Sequence, residues 1–147
     1  MVLIHTEIEI NAPPAKVRQV FHDFTSWPEW SHGMIKAVSS HKNASEVKVG
    51  DTLEVVLEGM TIEPVLLENN DSEFKWRGNS LNLLMGDHGF KFQDSKTSPG
   101  GTTFVHEEEF YRLLAVIMIL PLGLYGKTEK GFEAFNEDLK RRVEGGN

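Results

Sequence analysis

The sequence contains no cysteine, which excludes disulfide staples, thiolate metal centres and cysteine nucleophiles. Positive charge is also scarce: 15 lysines and arginines stand against 22 acidic residues, for a net charge of -7. The longest basic cluster is Lys140-Arg141-Arg142, so the footprint that a phosphate backbone requires is missing and no nucleic acid is expected as a partner. The longest apolar run, Leu113 to Gly126, contains Pro121 and falls short of the ~20 residues of a spanning helix, so no transmembrane segment is expected. The first ten residues alternate apolar and polar instead of forming a basic-then-apolar leader, which makes a cytoplasmic location the default expectation. Gly-x-Ser-x-Gly, a phosphate-cradling loop ending in Gly-Lys-Ser/Thr and a dinucleotide fingerprint are all missing, so nucleotide chemistry is not expected.

What remains is enough for a single domain over residues 1–147. A chain of this length with 39% hydrophobic and 10% aromatic residues is too apolar for disorder and can bury a core without staples. Ile4, Thr6, Ile8 and Ile10 fall on one face of a first strand, with His5, Glu7 and Glu9 on the other. Asn11-Ala12-Pro13-Pro14 ends it and suits a helix start. Val17, Val20, Phe21 and Phe24 then form a helical stripe that runs to Trp27-Pro28-Glu29-Trp30. Strands are predicted at about 35–42, 52–59, 61–69, 73–78, 88–95 and 102–111, joined by turn residues such as Asn69-Asn70-Asp71-Ser72 and Ser98-Pro99-Gly100-Gly101. Residues 79–87 fit a loop, a bulge or a strand start equally. Phe132, Phe135, Leu139 and Val143 at spacings of 3, 4 and 4 predict a long terminal helix over 127–143, in which Gly131 implies close approach of a bulky neighbour.

Strand, helical segment, six strands and long helix is an α+β order. Several motifs follow it: Ile8-Glu9-Ile10-Asn11-Ala12-Pro13-Pro14, Trp27-Pro28-Glu29-Trp30, Val49-Gly50-Asp51, Phe74-Lys75-Trp76-Arg77-Gly78, His106-Glu107-Glu108-Glu109-Phe110 and Gly131-Phe132-Glu133-Ala134-Phe135-Asn136. In that order they resemble the START-like or Bet v 1-like helix-grip superfamily, and within it the polyketide cyclase/dehydrase-type SRPBCC domains. The resemblance implies a seven-stranded curved antiparallel sheet wrapped around the terminal helix, with a short helical segment after the first strand and a deep apolar cavity between sheet and helix. It also implies a hydrophobic small-molecule ligand of polyketide or lipid type, and no cofactor.

Candidate site residues come from treating the last two strands as a hairpin turning near Ser98. That register pairs His88 with Glu108, Phe90 with His106 and Phe92 with Phe104. The face that also carries Phe110 is the apolar one, so His88, His106 and Glu108 are expected to point inward. A buried carboxylate opposite an imidazole is either a structural pair that fixes register or an acid–base group in which a histidine moves a proton and Glu108 orients it. Two histidines and a carboxylate also suit a metal triad, but the resembling family does not ordinarily use metal and none is assigned. Phe90, Phe92, Phe104, Phe110, Phe132 and Phe135 are expected to line the cavity, with Trp76 as core or wall and Trp27 and Trp30 as gate residues. His32, Met34 and Tyr111 lie near segment ends, where helix-grip proteins usually place ligand contacts, although the alternation of Tyr111 with Glu107 and Glu109 turns it outward, as that of Arg77 with Trp76 does. Catalysis by these histidines (cyclisation, dehydration or isomerisation without cofactor) is one expectation. A carrier is the other, with the segment 113–125 as portal, membrane contact or homodimer face; the same segment also reads as simply buried.

Overall fold

The computed structural model describes residues 1–40, 42, 46–80, 84–121 and 123–145. The terminal residues 146–147, His41, the 43–45 stretch, residues 81–83 and Leu122 lie outside it, so the readings that fell on them stop at the sequence.

β1 (Val2–Ile10) leads into α1 (Pro14–His22), which begins directly after the first proline of the pair. A 3-10 turn at Phe24–Ser26 and α2 (Trp27–Trp30) follow. Next come β2 (Ile35–Ser39), β3 (Glu54–Leu57), β4 (Met60–Ile62), β5 (Val65–Asn69), β6 (Glu73–Ser80), β7 (Leu84–Asp94) and β8 (Thr102–Tyr111), then α3 (Arg112–Ile119) and α4 (Leu124–Gly145).

The described residues form eight strands in two antiparallel sheets, ordered β1-β8-β7-β6-β5 and β2-β3-β4, where seven strands in one sheet were expected. The single strand predicted over 61–69 is cut by Pro64, which has no N–H to give a ladder; Leu53 N–H bonds to the carbonyl of Pro64 instead. The open stretch resolves at both ends into strand: β6 runs on to Ser80 and β7 starts at Leu84, with Arg77 opposite Asp87 and Gly78 opposite Gly86.

The terminal helix is longer than its apolar stripe required, and it lies against β1 with Phe132, Phe135, Leu139 and Val143 buried. Gly131 has the expected bulky neighbour, Met34: a Cβ there would stand 2.4 Å from Met34 Cε. The apolar run after β8 is a helix lying half in and half out. Ala115 and Met118 are buried, whereas Leu113, Val116, Ile119 and Leu120 are exposed, Ile119 at 66%. Its start is sharp, since Arg112 sits at φ 56°, a left-handed turn between strand and helix. No helix among the described residues is long and apolar enough to cross a membrane.

Among the described residues, two apolar clusters fill the interior. The larger contains Phe21, Trp27, Trp76, Phe90, Phe104, Phe135 and Leu139. The smaller, beneath α3, joins Ile4, Phe110, Ala115, Met118 and Phe132, with Val2, Met34, Leu114 and Leu124 partly buried around it.

Candidate acid–base site

The β7–β8 register is the one the turn chemistry predicts: His88 lies opposite Glu108, Phe90 opposite His106, and Phe92 opposite Phe104. Both imidazoles are inside, His106 completely and His88 at 5% exposure. His88 Nδ1 is 3.0 Å from Glu108 Oε1, and its Nε2 is 2.7 Å from His106 Nε2. The chain of contacts continues onto the terminal helix and the first strand. His106 Nδ1 meets Asn136 Oδ1 at 3.0 Å, Asn136 Nδ2 donates to Thr6 Oγ1 at 2.9 Å, and Thr6 Oγ1 donates to the His106 carbonyl at 2.7 Å. Buried polar groups require partners of this kind. Five side chains from β7, β8, α4 and β1 thus form one hydrogen-bonded group.

Aromatic rings enclose it. Phe132 stacks on His106 with centroids 4.1 Å apart, and His88 packs against Trp76 at 5.0 Å and Phe132 at 4.9 Å. The imidazoles therefore form a polar seam between the two apolar clusters. Burial, and after it the neighbouring His88, hold His106 well below the ordinary histidine range, although Asn136 and the Phe132 carbonyl pull the other way. The end of the group nearest solvent is Glu108, whose side chain is 17% exposed. Sequence reasoning puts the reactive end at a histidine. The structure seals the histidines and leaves the carboxylate as the outermost member.

The other expected site residues divide. Phe90, Phe92, Phe104, Phe135 and Trp76 belong to the larger cluster, which is closely packed around Phe21: its ring lies 4.8 to 5.3 Å from Phe90, Trp27, Phe92 and Phe74. A deep cavity was expected between the sheet and the terminal helix; among the described residues, rings occupy that space around Phe21. Phe110 and Phe132 are in the smaller cluster, with Met34 at its margin. Trp27, expected as a gate, is fully buried and donates its indole N–H to the Phe21 carbonyl at 2.7 Å. Trp30 is also buried, and borders a surface groove of about 370 Å³ with Lys16, Val20 and Arg142. That groove and the other two described concavities are lined by neither histidine of the seam nor Glu108. His32 is exposed and gives its backbone N–H to Asp138. Tyr111 and Arg77 face outward as expected. Tyr111 donates to Glu109, whose carboxylate pushes the phenol up to about 12, and Arg77 clamps Asp87 at 2.7 and 2.8 Å. Among the described residues no group of three or more carboxylates and imidazoles is arranged to hold a metal ion.

Two members of the group carry no chemical signature in sequence. Asn136 lies four residues after Phe132, on the buried face of α4, and a lone amide in an apolar helical stripe was the available signal. Thr6 falls on the inward face of β1 by alternation alone, which gives it a place without a role.

Residues 1–144 match a family model described as polyketide cyclase / dehydrase and lipid transport. The chain belongs to this family. No curated protein sequence matches this family member. Solved structures with its fold include protein MLL2253 from Mesorhizobium loti, at a TM-score of 0.74, 16% identity and 99% coverage of both chains. A START superfamily protein from Mycobacterium smegmatis gives 0.69 and 15% with 99% of both chains covered. A norcoclaurine synthase point mutant from Thalictrum flavum, solved with a transition-state analogue, gives 0.68 and 15%, covering 99% of this chain and 95% of that one. Likeness at such identities establishes the START-like, Bet v 1-like helix-grip fold; the activity has to be argued from the site.

Proposed function

We propose that this member of the family binds an apolar small molecule beneath α3, against the smaller cluster, and uses the Glu108–His88–His106 group for proton transfer in a cofactor-independent cyclisation, dehydration or isomerisation. The observation that carries the reading is the seam itself. Register alone needs one satisfied pair, whereas here five polar side chains from four elements are connected inside an otherwise apolar interior. Of the five, Glu108 is the one that approaches the surface. Binding energy comes from apolar area removed from water at about 25 cal/mol per Å², and the site's contribution to rate is positioning plus proton transfer.

The test is native mass spectrometry of the purified protein for a co-purified organic molecule, followed by assay of that molecule with His88→Ala and Glu108→Gln variants. The reading expects bound ligand in both variants and turnover lost in both. Full turnover in both variants contradicts the catalytic part, and a bare mass in every preparation contradicts the binding part.

A second reading, a carrier without chemistry, is supported by the exposed residues Leu113, Val116 and Ile119 on α3 and Leu120 just after it. Under it Ile119→Asp abolishes transfer of a fluorescent lipid between vesicles, and the histidine variants transfer normally.

A further inference from the structure

The hydrogen bonds of the seam determine where its protons sit. The Thr6 hydroxyl donates to the His106 carbonyl, which can only accept. Its proton thus committed, Thr6 Oγ1 accepts from Asn136 Nδ2. This orients the amide, so that Asn136 Oδ1 faces His106 Nδ1, and the Phe132 carbonyl faces the same imidazole. Both are acceptors, so His106 Nδ1 carries the hydrogen. Buried as it is, the ring is neutral and its Nε2 is bare. His88 Nε2, 2.7 Å away, must then be the donor. One contact is left undetermined: between His88 Nδ1 and Glu108 Oε1, 3.0 Å apart, there is room for a single proton, carried when present either by the carboxyl group or by the imidazole.

We infer that the seam is a single-proton device with one working end, in which Glu108 and His88 share the mobile proton, Glu108 exchanges it with the substrate, and His106, Asn136 and Thr6 are positioning residues that close the rear. The rear is a dead end because an amide carbonyl does not take up the proton of a neutral imidazole. This rests on the acid–base reading above and narrows it. With Glu108 ionised and His88 neutral, the carboxylate removes a proton from the carbon beside a carbonyl group, and the C–H electron pair moves into the enolate. The proton, held between Glu108 and His88, then passes to a β-hydroxyl group whose C–O bond breaks as the C=C bond forms, releasing water; alternatively it returns to a different carbon. One proton enters and one leaves, with no oxidant, reductant or co-reactant.

The wiring is tested without any ligand, by two-bond proton–nitrogen correlation of the imidazoles in ¹⁵N-labelled protein. His106 is expected as the Nδ1–H tautomer with a bare Nε2, and His88 with Nε2 protonated and Nδ1 averaged between bare and protonated. His106 found with Nε2 protonated overturns the inference in the wild-type protein alone. In Glu108→Gln the amide can still donate to His88 Nδ1, so that nitrogen should become fully bare while His106 is unchanged; an identical Nδ1 signal in both proteins overturns the sharing. In Asn136→Leu only the Phe132 carbonyl is left to hold the proton at His106 Nδ1, so the His106 nitrogen signals should shift from their wild-type positions; unchanged signals remove Asn136 from the device. A protein with this wiring that never holds a ligand sinks the proposed function instead, so the two failures are distinguishable.

Discussion

Glu108 occupies the space that a side chain at residue 86 would need: a Cβ on Gly86 would stand 2.5 Å from Glu108 Oε2 and 3.3 Å from its Cδ. These residues are diagonal neighbours on β7 and β8, so the glycine clears the room in which the carboxylate reaches His88. Gly86→Ala is expected to push the flexible Glu108 carboxylate aside and break its contact with His88, at a cost in stability of about 1 kcal/mol for the lost hydrogen bond. The His88 nitrogen signals should then resemble those of Glu108→Gln. An alanine variant with wild-type stability and unchanged His88 signals would show that the carboxylate does not depend on this gap.

Stability should fall in acid for a reason traceable to two histidines. Burial holds both His22 and His106 below the ordinary value. The unfolded chain takes up protons at these positions near pH 6.5 and the native state does not. Stability is therefore full above about pH 6.5 and is lost as pH falls toward the depressed folded values. His5 works in the opposite direction, because Glu7 and Glu107 raise it; its contribution is present below the unfolded value and disappears as pH rises through the folded one. Urea midpoints should drop between about pH 7.5 and pH 5.5, and more steeply in His5→Gln. A flat profile, or a shallower drop in that variant, contradicts the assignment.

Gly131 and Met34 should be energetically coupled. Alanine is worth about 1 kcal/mol over glycine inside a helix, yet a Cβ at residue 131 would meet Met34 Cε at 2.4 Å and Cβ at 3.3 Å. Gly131→Ala is expected to be near neutral alone and to stabilise by about 1 kcal/mol when Met34 is already alanine. Additive effects in the double-mutant cycle would mean that the close approach does not hold in solution.

Trp27 and Trp30, whose rings lie 5.4 Å apart, should respond differently to phenylalanine. The Trp27 indole N–H bonds to the Phe21 carbonyl, and that of Trp30 has no acceptor among the described residues. Beyond their similar loss of volume, Trp27→Phe leaves a buried carbonyl without its donor, whereas Trp30→Phe removes an unsatisfied group. Trp27→Phe should be the more destabilising by roughly 1 kcal/mol in chemical unfolding; equal or reversed costs would contradict this.

How far the site could be read from sequence follows from which contacts are local. Ser98-Pro99-Gly100-Gly101 defined the last hairpin, and with it the cross-strand pair His88 and Glu108. The contact between His88 and His106 escaped because it is diagonal and depends on side-chain length as well as register. Asn136 meets His106 only once α4 is docked, a packing decision with no local signature. Continuous apolarity from Leu113 to Leu120 concealed the helix periodicity of α3, which emerges only in the burial of Ala115 and Met118. Pro64 was visible throughout, and its missing N–H was the reason to divide one strand into two.

Where an apolar ligand sits is the most direct test of the account. Photolabelling of the intact protein with a diazirine-bearing fatty acid, followed by peptide mapping, reports the position whatever the natural ligand is. The account predicts label on the residues beneath α3, namely Phe110, Met118 and Phe132, competed by any co-purified molecule. Label confined to the groove of Lys16 and Arg142, or to the outer face at Val116 and Ile119, would contradict it.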